Sequence, residues 1–265
     1  MNIINKKYNI AMVVEYDGSN FYGFQKQLGN IRTVQGEIQK SLQMFCGELI
    51  EVVISGRTDA GVHALYQVIN FKTDLSRPAK GWMMGCNSFL PKDIVIRDCA
   101  IVDDDFYARF AINRTYHYYL YIDRIRPGLF NGKVGWFYAE LDIALMQEAL
   151  NYLIGTHDFS SFRASGCQSN SSIRTMYKVC IEQKGKMIRF ELCANAFLYH
   201  MVRNIIGALV YVGKGALSLN NFKEIVDSKT RKYAPPTFMP DGLYLVDVQY
   251  SKKYFEYKIS DWLFQ

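Results

Sequence analysis

From residue 9 to residue 16 the chain alternates, with Ile10, Met12, Val14 and Tyr16 on one side and Ala11, Val13 and Glu15 on the other. A two-residue period predicts a β-strand. After Thr33 the period changes: Val34, Ile38, Leu42 and Phe45 recur at helical spacing, behind a threonine suited to cap the first turn. Strand patterns return at 52–55 and 67–72, and a short helix near 82–87 must stop before Pro91. Residues 94–101 read as a further strand. In the second half, residues 114–122 set Tyr116, Tyr118, Leu120 and Ile122 on one strand face. Asp142 can cap a helix carrying Leu145, Ala149, Tyr152 and Leu153, with Gly155 as its stop. Val179 and Ile181 lie on one strand and residues 187–192 on the next, turned by Lys184-Gly185-Lys186. A helix over 198–212, another beginning at Ser218 and a last strand over 243–250 complete the pattern.

Each half therefore runs strand, helix, strands, without the regular strand–helix repeat of a doubly wound parallel sheet. The expected class is α+β: two subdomains with mainly antiparallel sheets, continuous across a central cleft, and helices packed on the outer faces. The acidic run Asp103-Asp104-Asp105 is either a solvated turn or the boundary between subdomains 1–105 and 106–265.

Composition narrows the picture only a little. Of 265 residues, 49% are hydrophobic and 21% charged, the mix of an ordinary globular protein. Lys plus Arg less Asp plus Glu, 31 − 25, leaves +6, which suits a phosphate-bearing partner without requiring one. The 19 tyrosines and 17 phenylalanines, with the arginines, suit base stacking, although strand faces and core claim most rings. Six cysteines form no C-x-x-C pair, which points to reduced thiols and away from zinc. Residues 1–7 hold no apolar segment, and no apolar run reaches the ~18 residues of a membrane span. A soluble cytoplasmic protein with no membrane partner is expected.

The chemistry concentrates in Ser55-Gly56-Arg57-Thr58-Asp59-Ala60-Gly61-Val62-His63. A lone carboxylate lies between an arginine and a histidine, in a glycine-bounded loop between two strands. Such loops carry function when a rigid scaffold holds them. A β-turn whose Asp59 bonds its own backbone has the same local pattern. Asp59 and His63 are four apart, but the glycines oppose a helix that would put them on one face, and His117, His157 and His200 lack ligand spacing. No metal site is expected.

The run from Gly56 to His63 resembles the active-site loop of the tRNA pseudouridine synthase A family. Further blocks occur in that family's order: Tyr16-Asp17-Gly18-Ser19 with Phe21 and Gly23-Phe24-Gln25; Thr33-Val34-Gln35; Phe106-Tyr107-Ala108-Arg109-Phe110 with Arg114 and Tyr116; His157-Asp158-Phe159-Ser160-Ser161-Phe162; and Phe197-Leu198-Tyr199-His200-Met201-Val202-Arg203-Asn204 with Gly207. The resemblance implies two pseudo-related halves and a tRNA uridine isomerase acting at positions 38, 39 and 40 of the anticodon arm. It implies a homodimer as the working form and no cofactor, the reaction being redox-neutral. Asp59 is implied as nucleophile, Arg203 as its ion-pair partner and Tyr116 as the ring stacking on the target uracil. Arg57, His63, Arg109, Arg114, Phe197 and Leu198 are implied around the substrate.

The residues support these roles to different degrees. A buried carboxylate needs a cation to stay charged, and a guanidinium grips both its oxygens. On a helix, His200, Arg203 and Asn204 share a face, and the surrounding Met201, Val202, Ile205, Ile206 and Leu209 argue that most of that helix is buried. Tyr118 shares the strand face of Tyr116 and competes for its role. Arg57 suits either the space a flipped uridine vacates or a surface salt bridge. Arg57, Arg109, Arg114, Arg163 and Arg174 could line a basic groove. Phe238 and Met239 depart from the family's Ala/Pro-rich run before the last strand, and bear on the shape of the cleft wall rather than on the catalytic set. Two other classes remain open. A non-catalytic RNA-binding module needs the rings and arginines alone, and a glycoside hydrolase needs a second carboxylate, for which Glu15 and Asp17 are available.

Overall fold

The computed structural model describes residues 8–260 and 262–264; the N-terminal stretch 1–7 lies outside them. The chain forms two compact units, one of Met1–Ile112 with Leu245–Leu263 and the other of Asn113–Tyr244.

In the first unit, β1 (Tyr8–Tyr16) is followed by α1 (Val34–Cys46), β2 (Val53–Ile54), β3 (His63–Thr73), α2 (Ala79–Asn87) and β4 (Ile94–Val102). Strand β1 lies between β4 and β3, antiparallel to both, and the short β2 pairs with β3. Both sides of the alternating β1 pattern are apolar, and Ile10 to Val14 are fully buried. Thr33 caps α1 by accepting from the Gly36 amide at 3.2 Å, and Gly47 ends it at φ 79°. Trp82 of α2 packs edge-on against Phe45 and Phe71 at 5.6 and 5.4 Å, which fixes both helices to the sheet.

The second unit holds β5 (Asn113–Ile122), β6 (Gly135–Phe137), α3 (Ile143–Asn151), β7 (Gly155–Asp158), β8 (Ile173–Lys184), β9 (Met187–Ala194), α4 (Met201–Gly213) and α5 (Leu219–Asp227). Its antiparallel order is β5-β9-β8-β7, with β6 parallel to β5. Asp142 and Ser218 cap α3 and α5 through their side chains. Helix α4 is buried on nearly every side, with Ile205, Ile206, Ala208 and Leu209 fully covered. The last strand, β10 (Leu243–Gln249), starts in the second unit and belongs to the first from Leu245 onward, where it continues the sheet beyond β3.

The α+β class with mainly antiparallel strands and packed helices is what the pattern predicted. Four local differences have identifiable causes. Strand β3 begins at His63, four residues before the apolar run that announced it, because pairing with β1 reaches Ala64 opposite Tyr16. Helix α4 begins at Met201, not at 198, because His200 takes a left-handed backbone at φ 60°. Gly155, expected to stop α3, instead opens β7 at φ 100°, and Tyr152 caps the helix. The units divide at 112/113, whereas 105/106 was expected. The segment after the acidic run is bound into the first unit: Asn9 Nδ2 donates to the Phe106 carbonyl at 2.9 Å, and the Ala108 amide donates to Asn70 Oδ1 at 2.9 Å. No helix among the described residues is long and apolar enough to cross a membrane.

Candidate active site

Residues 55–62 join β2 to β3 in the first unit, and their backbone is held from several directions. The Ser55 amide donates to the Val68 carbonyl at 2.9 Å. Gln67 accepts from Ser55 Oγ at 2.6 Å and donates to the Gly56 carbonyl at 2.7 Å, closing the loop's base. On the opposite side, the Phe24 amide donates to the Thr58 carbonyl and the Gly61 amide to the Phe21 carbonyl, at 3.1 and 3.3 Å. The approach requires glycine. A Cβ at Gly18 would lie 2.0 Å from the Val62 carbonyl oxygen, and Gly23, at φ 88°, would meet that of Thr58 at 2.8 Å. The glycines of the Tyr-Asp-Gly-Ser and Gly-Phe-Gln blocks are therefore what let two loops lie backbone to backbone.

Asp59 is half-buried in this frame, Arg57 is exposed and Thr58 is buried. Tyr16 OH and Thr58 Oγ1 are 2.7 Å apart, which pins the residue before Asp59 to β1. Complete burial pushes the Tyr16 hydroxyl far above its ordinary pKa, and the nearby Asp59 charge adds to the rise, so the ring stays neutral beside the carboxylate. The β1–β3 register shifts between Val14 and Tyr16, and such irregularities re-aim side chains beside a site. His63 is 1% exposed and accepts from the Gly18 amide through Nδ1 at 3.0 Å. Asp17 Oδ1 lies 3.3 Å from the same nitrogen. An accepting Nδ1 cannot also donate, so an ion pair there would cost Gly18 its acceptor. His63 sits inside the loop's foundation, at the first position of β3.

In the second unit, Tyr116 is 7% exposed on β5, opposite Leu192, and packs edge-on against Phe197 with centroids 4.9 Å apart. Leu198 is buried behind it in sequence, ahead of the left-handed turn at His200. Tyr118 is fully buried, donates to the Met239 carbonyl at 2.9 Å and packs edge-on against Phe238. Tyr118 is thus a core ring with its hydroxyl committed to a main-chain carbonyl. Arg203 is half-buried on the first turn of α4, its Nε donating to the Phe238 carbonyl at 3.0 Å. His200 is the cap of α4 rather than part of its face, and Asn204 is completely buried.

The remaining arginines separate into two groups. Arg109 is exposed on the turn Ala108–Phe110, as Arg57 is on its loop. Arg114 is 8% exposed and donates to the Asn195 carbonyl at 2.9 Å. Arg163 donates to the carbonyls of Cys167 and Ser169, and Arg174 to that of Ser171, so both brace a loop of their own unit. The two spare carboxylates are also committed. Glu15 takes both ends of the Arg97 guanidinium at 2.7 and 2.8 Å, and Asp17 Oδ1 accepts from the amide and hydroxyl of Ser19. Tyr16, Thr58 and Gln67 went unnoticed as supports in the sequence, although Tyr16 opens a recognised block.

A family model described as tRNA pseudouridine synthase matches residues 12–111 and 149–251. Asp59 falls in the first matched segment and Arg203 in the second; Tyr116 lies between them. The tRNA pseudouridine synthase A of Herminiimonas arsenicoxydans is 48% identical over 250 residues, 92% of this chain and 90% of that protein. The protein of the same name from Neisseria gonorrhoeae is 45% identical over 261 residues, 97% of this chain and 98% of its own length. That from Paraburkholderia xenovorans is 46% identical over 247 residues.

Proposed function

The chain belongs to the tRNA pseudouridine synthase family, and on that premise we propose that it isomerises uridine to pseudouridine in tRNA, with Asp59 as the nucleophile. The observation that carries this reading is similarity at 45% identity along 97% of the chain, which spans both matched segments. The same resemblance extends the proposal to uridines 38, 39 and 40 of the anticodon arm and to a cytoplasmic homodimer.

The reaction breaks the bond between ribose C1′ and uracil N1 and forms one between C1′ and C5. C5 loses its proton, N1 gains one, and no electrons are exchanged with a second reactant. Attack by the Asp59 carboxylate, on sugar or base, would divide this into two easier steps. The loop geometry suits that task. Thr58, just before Asp59, is tied to Tyr16 of β1, and Gly61, two residues after it, to the Phe21 carbonyl, so the half-buried carboxylate between these anchors starts from a narrow set of positions. Tyr116 would stack on the target ring, where one base is worth roughly 1–3 kcal/mol. Arg203 would supply the positive charge that a desolvated carboxylate requires. Exposed Arg57 and Arg109 are suited to phosphate contact. The hydrolase alternative is disfavoured because Glu15 and Asp17 already hold Arg97 and Ser19.

Asp59→Asn separates catalysis from binding. Incubated with unmodified tRNA transcripts, the wild type should form pseudouridine, detected by mapping the modified positions. The variant should fall by at least about 10³-fold while its tRNA affinity stays within about threefold, because phosphate contacts dominate affinity. Turnover within tenfold of wild type would remove Asp59 from the nucleophile's role. Binding by the wild type with no isomerisation would favour the RNA-binding module.

A further inference from the structure

Over its first two turns, helix α4 carries three residues that a single stretch of chain covers. Residues 234–239, with no secondary structure, run across Arg203, Asn204 and Gly207. The contacts are dense. Arg203 Nε donates to the Phe238 carbonyl at 3.0 Å, and the Phe238 amide donates back to the Arg203 carbonyl at 3.2 Å. The Thr237 hydroxyl lies 2.6 Å from Asn204 Oδ1. The amide nitrogen of Asn204 donates to the Phe162 carbonyl at 2.7 Å, which fixes which way the amide faces. Arg231 ties the same oxygen, at 3.2 Å, to the carbonyls of Ala234 and Pro235. A Cβ on Gly207 would lie 2.2 Å from the Pro236 carbonyl oxygen, so strap and helix are in backbone contact. One residue further on, the Met239 carbonyl takes the Tyr118 hydroxyl and its sulfur the Trp136 amide.

We propose that the strap 234–239, keyed by the Thr237–Asn204 hydrogen bond, is a positioning clamp that sets the plane of the Arg203 guanidinium for the reaction proposed above. The inference rests on that reading for its catalytic consequence, while the clamp itself stands on the contacts just given. An arginine side chain has four rotatable bonds, and its fork is useful only in one orientation. Anchoring Nε–H to a carbonyl fixes the plane, because Nε and both terminal nitrogens are coplanar. The anchoring carbonyl belongs to Phe238, whose own position depends on the neighbouring Thr237. Asn204, wholly buried one residue after Arg203, connects that hydroxyl to the body of the unit. Phe238 and Met239, read from sequence as shaping only a cleft wall, thus bear directly on a residue of the proposed catalytic set.

Thr237 is exposed, so replacing it leaves the core intact. Thr237→Val keeps the shape and removes the hydroxyl; Thr237→Ser keeps the hydroxyl. On unmodified tRNA, Thr237→Val should lower kcat about tenfold with KM within threefold. Thr237→Ser should stay within about twofold of wild type, and melting temperatures of both should move by less than about 3 °C. In an Arg203→Lys background, which has no Nε–H, Thr237→Val should cause no further loss. A readout independent of activity is hydrogen exchange of the Arg203 Nε–H by NMR, slow in wild type and Thr237→Ser and faster in Thr237→Val. Wild-type kcat and unchanged exchange in Thr237→Val would overturn the clamp. So would an equal kcat loss in the Arg203→Lys background, which would route the effect elsewhere. Should the wild type fail to modify tRNA, the functional reading falls, and the exchange measurement still decides the clamp.

Discussion

Glu191 on β9 is the carboxylate whose charge the fold most plainly uses for stability. His117 Nε2, 3.7 Å away, and Lys178 Nζ, at 2.7 Å, hold its carboxyl down to about 2, against burial acting the other way. A depressed folded-state pKa adds stability above the unfolded value near 4.5 and loses it as pH falls from there toward 2. The Glu191 side chain is only partly exposed but its Lys178 partner stands in solvent, so screening reduces the contribution to about 1–2 kcal/mol. Glu191→Gln should therefore be less stable than wild type by that amount near neutral pH, and the deficit should shrink as the pH falls below about 4. Urea unfolding of both proteins across that range checks it, and a deficit independent of pH would assign the loss to packing. Charges of this kind cannot be read from spacing, since Glu191 meets His117, 74 positions earlier in the chain, through β5–β9 pairing.

Helix α4 shows how one element serves both packing and the site. Its apolar residues bury it, and that burial brings its small residues against neighbouring chain. Gly207 meets the Pro236 carbonyl on one side, and Gly213 meets the Met146 side chain on the other. Gly207→Ala gains helix propensity worth roughly 1 kcal/mol, yet forces a Cβ into a backbone oxygen. The clash should win, because the obstacle is main chain and cannot rotate away. A net loss of about 1–3 kcal/mol is expected by denaturant unfolding, with faster proteolysis in the 234–239 strap. A variant as stable as wild type would mean that the strap yields freely. The helix was legible from its apolar spacing, but its start was not. A left-handed backbone at His200, a non-glycine residue, has no sequence signal, and it sets the start of the helix at Met201.

The path of the chain through the two units has consequences of its own. The last strand and the tail after it return to the first unit, where β10 lies beside β3. Phe106 is covered by Tyr250 and Tyr254 at 4.9 and 4.8 Å, and Asp98 accepts the amides of Glu256 and Tyr257 at 2.7 and 2.9 Å. A fragment of residues 1–112 would therefore expose an apolar strand edge and an uncovered ring, and it should aggregate or remain unfolded. Circular dichroism with urea titration tests this, and a cooperative transition in the isolated fragment would contradict it. Composition gave no hint of this return, because nothing in residues 245–263 distinguishes a final strand of one unit from that of the other.

Much of this protein was determined by its sequence alone, for reasons that are local. Period-two and helical patterns, with cap and proline signals, placed most of the longer strands and the five α-helices among the described residues, since burial of one face forces those spacings. Thr33, Asp142 and Ser218 marked three helix starts, because an oxygen there satisfies amides that the helix leaves open. The glycine-bounded loop around Asp59 was visible as an acid on a strand connection. What only the tertiary structure decided depended on partners distant in the chain. The three-residue β6 exists through pairing with β5, and no pattern that short is readable. Arg114, Arg163 and Arg174 read alike in the sequence, and only the fold shows that each also donates to a carbonyl of its own unit. Tyr116 and Tyr118 are equivalent by alternation, and their environments differ only once the chain is folded, with Tyr116 against Phe197 and Tyr118 bonded to the Met239 carbonyl. His63 lies inside rather than at a surface because Gly18, 45 positions away, presents its amide to Nδ1. Sequence specifies which groups are available and where the backbone will bend; contact between remote segments decides which of those groups are used up in holding the fold and which remain for chemistry.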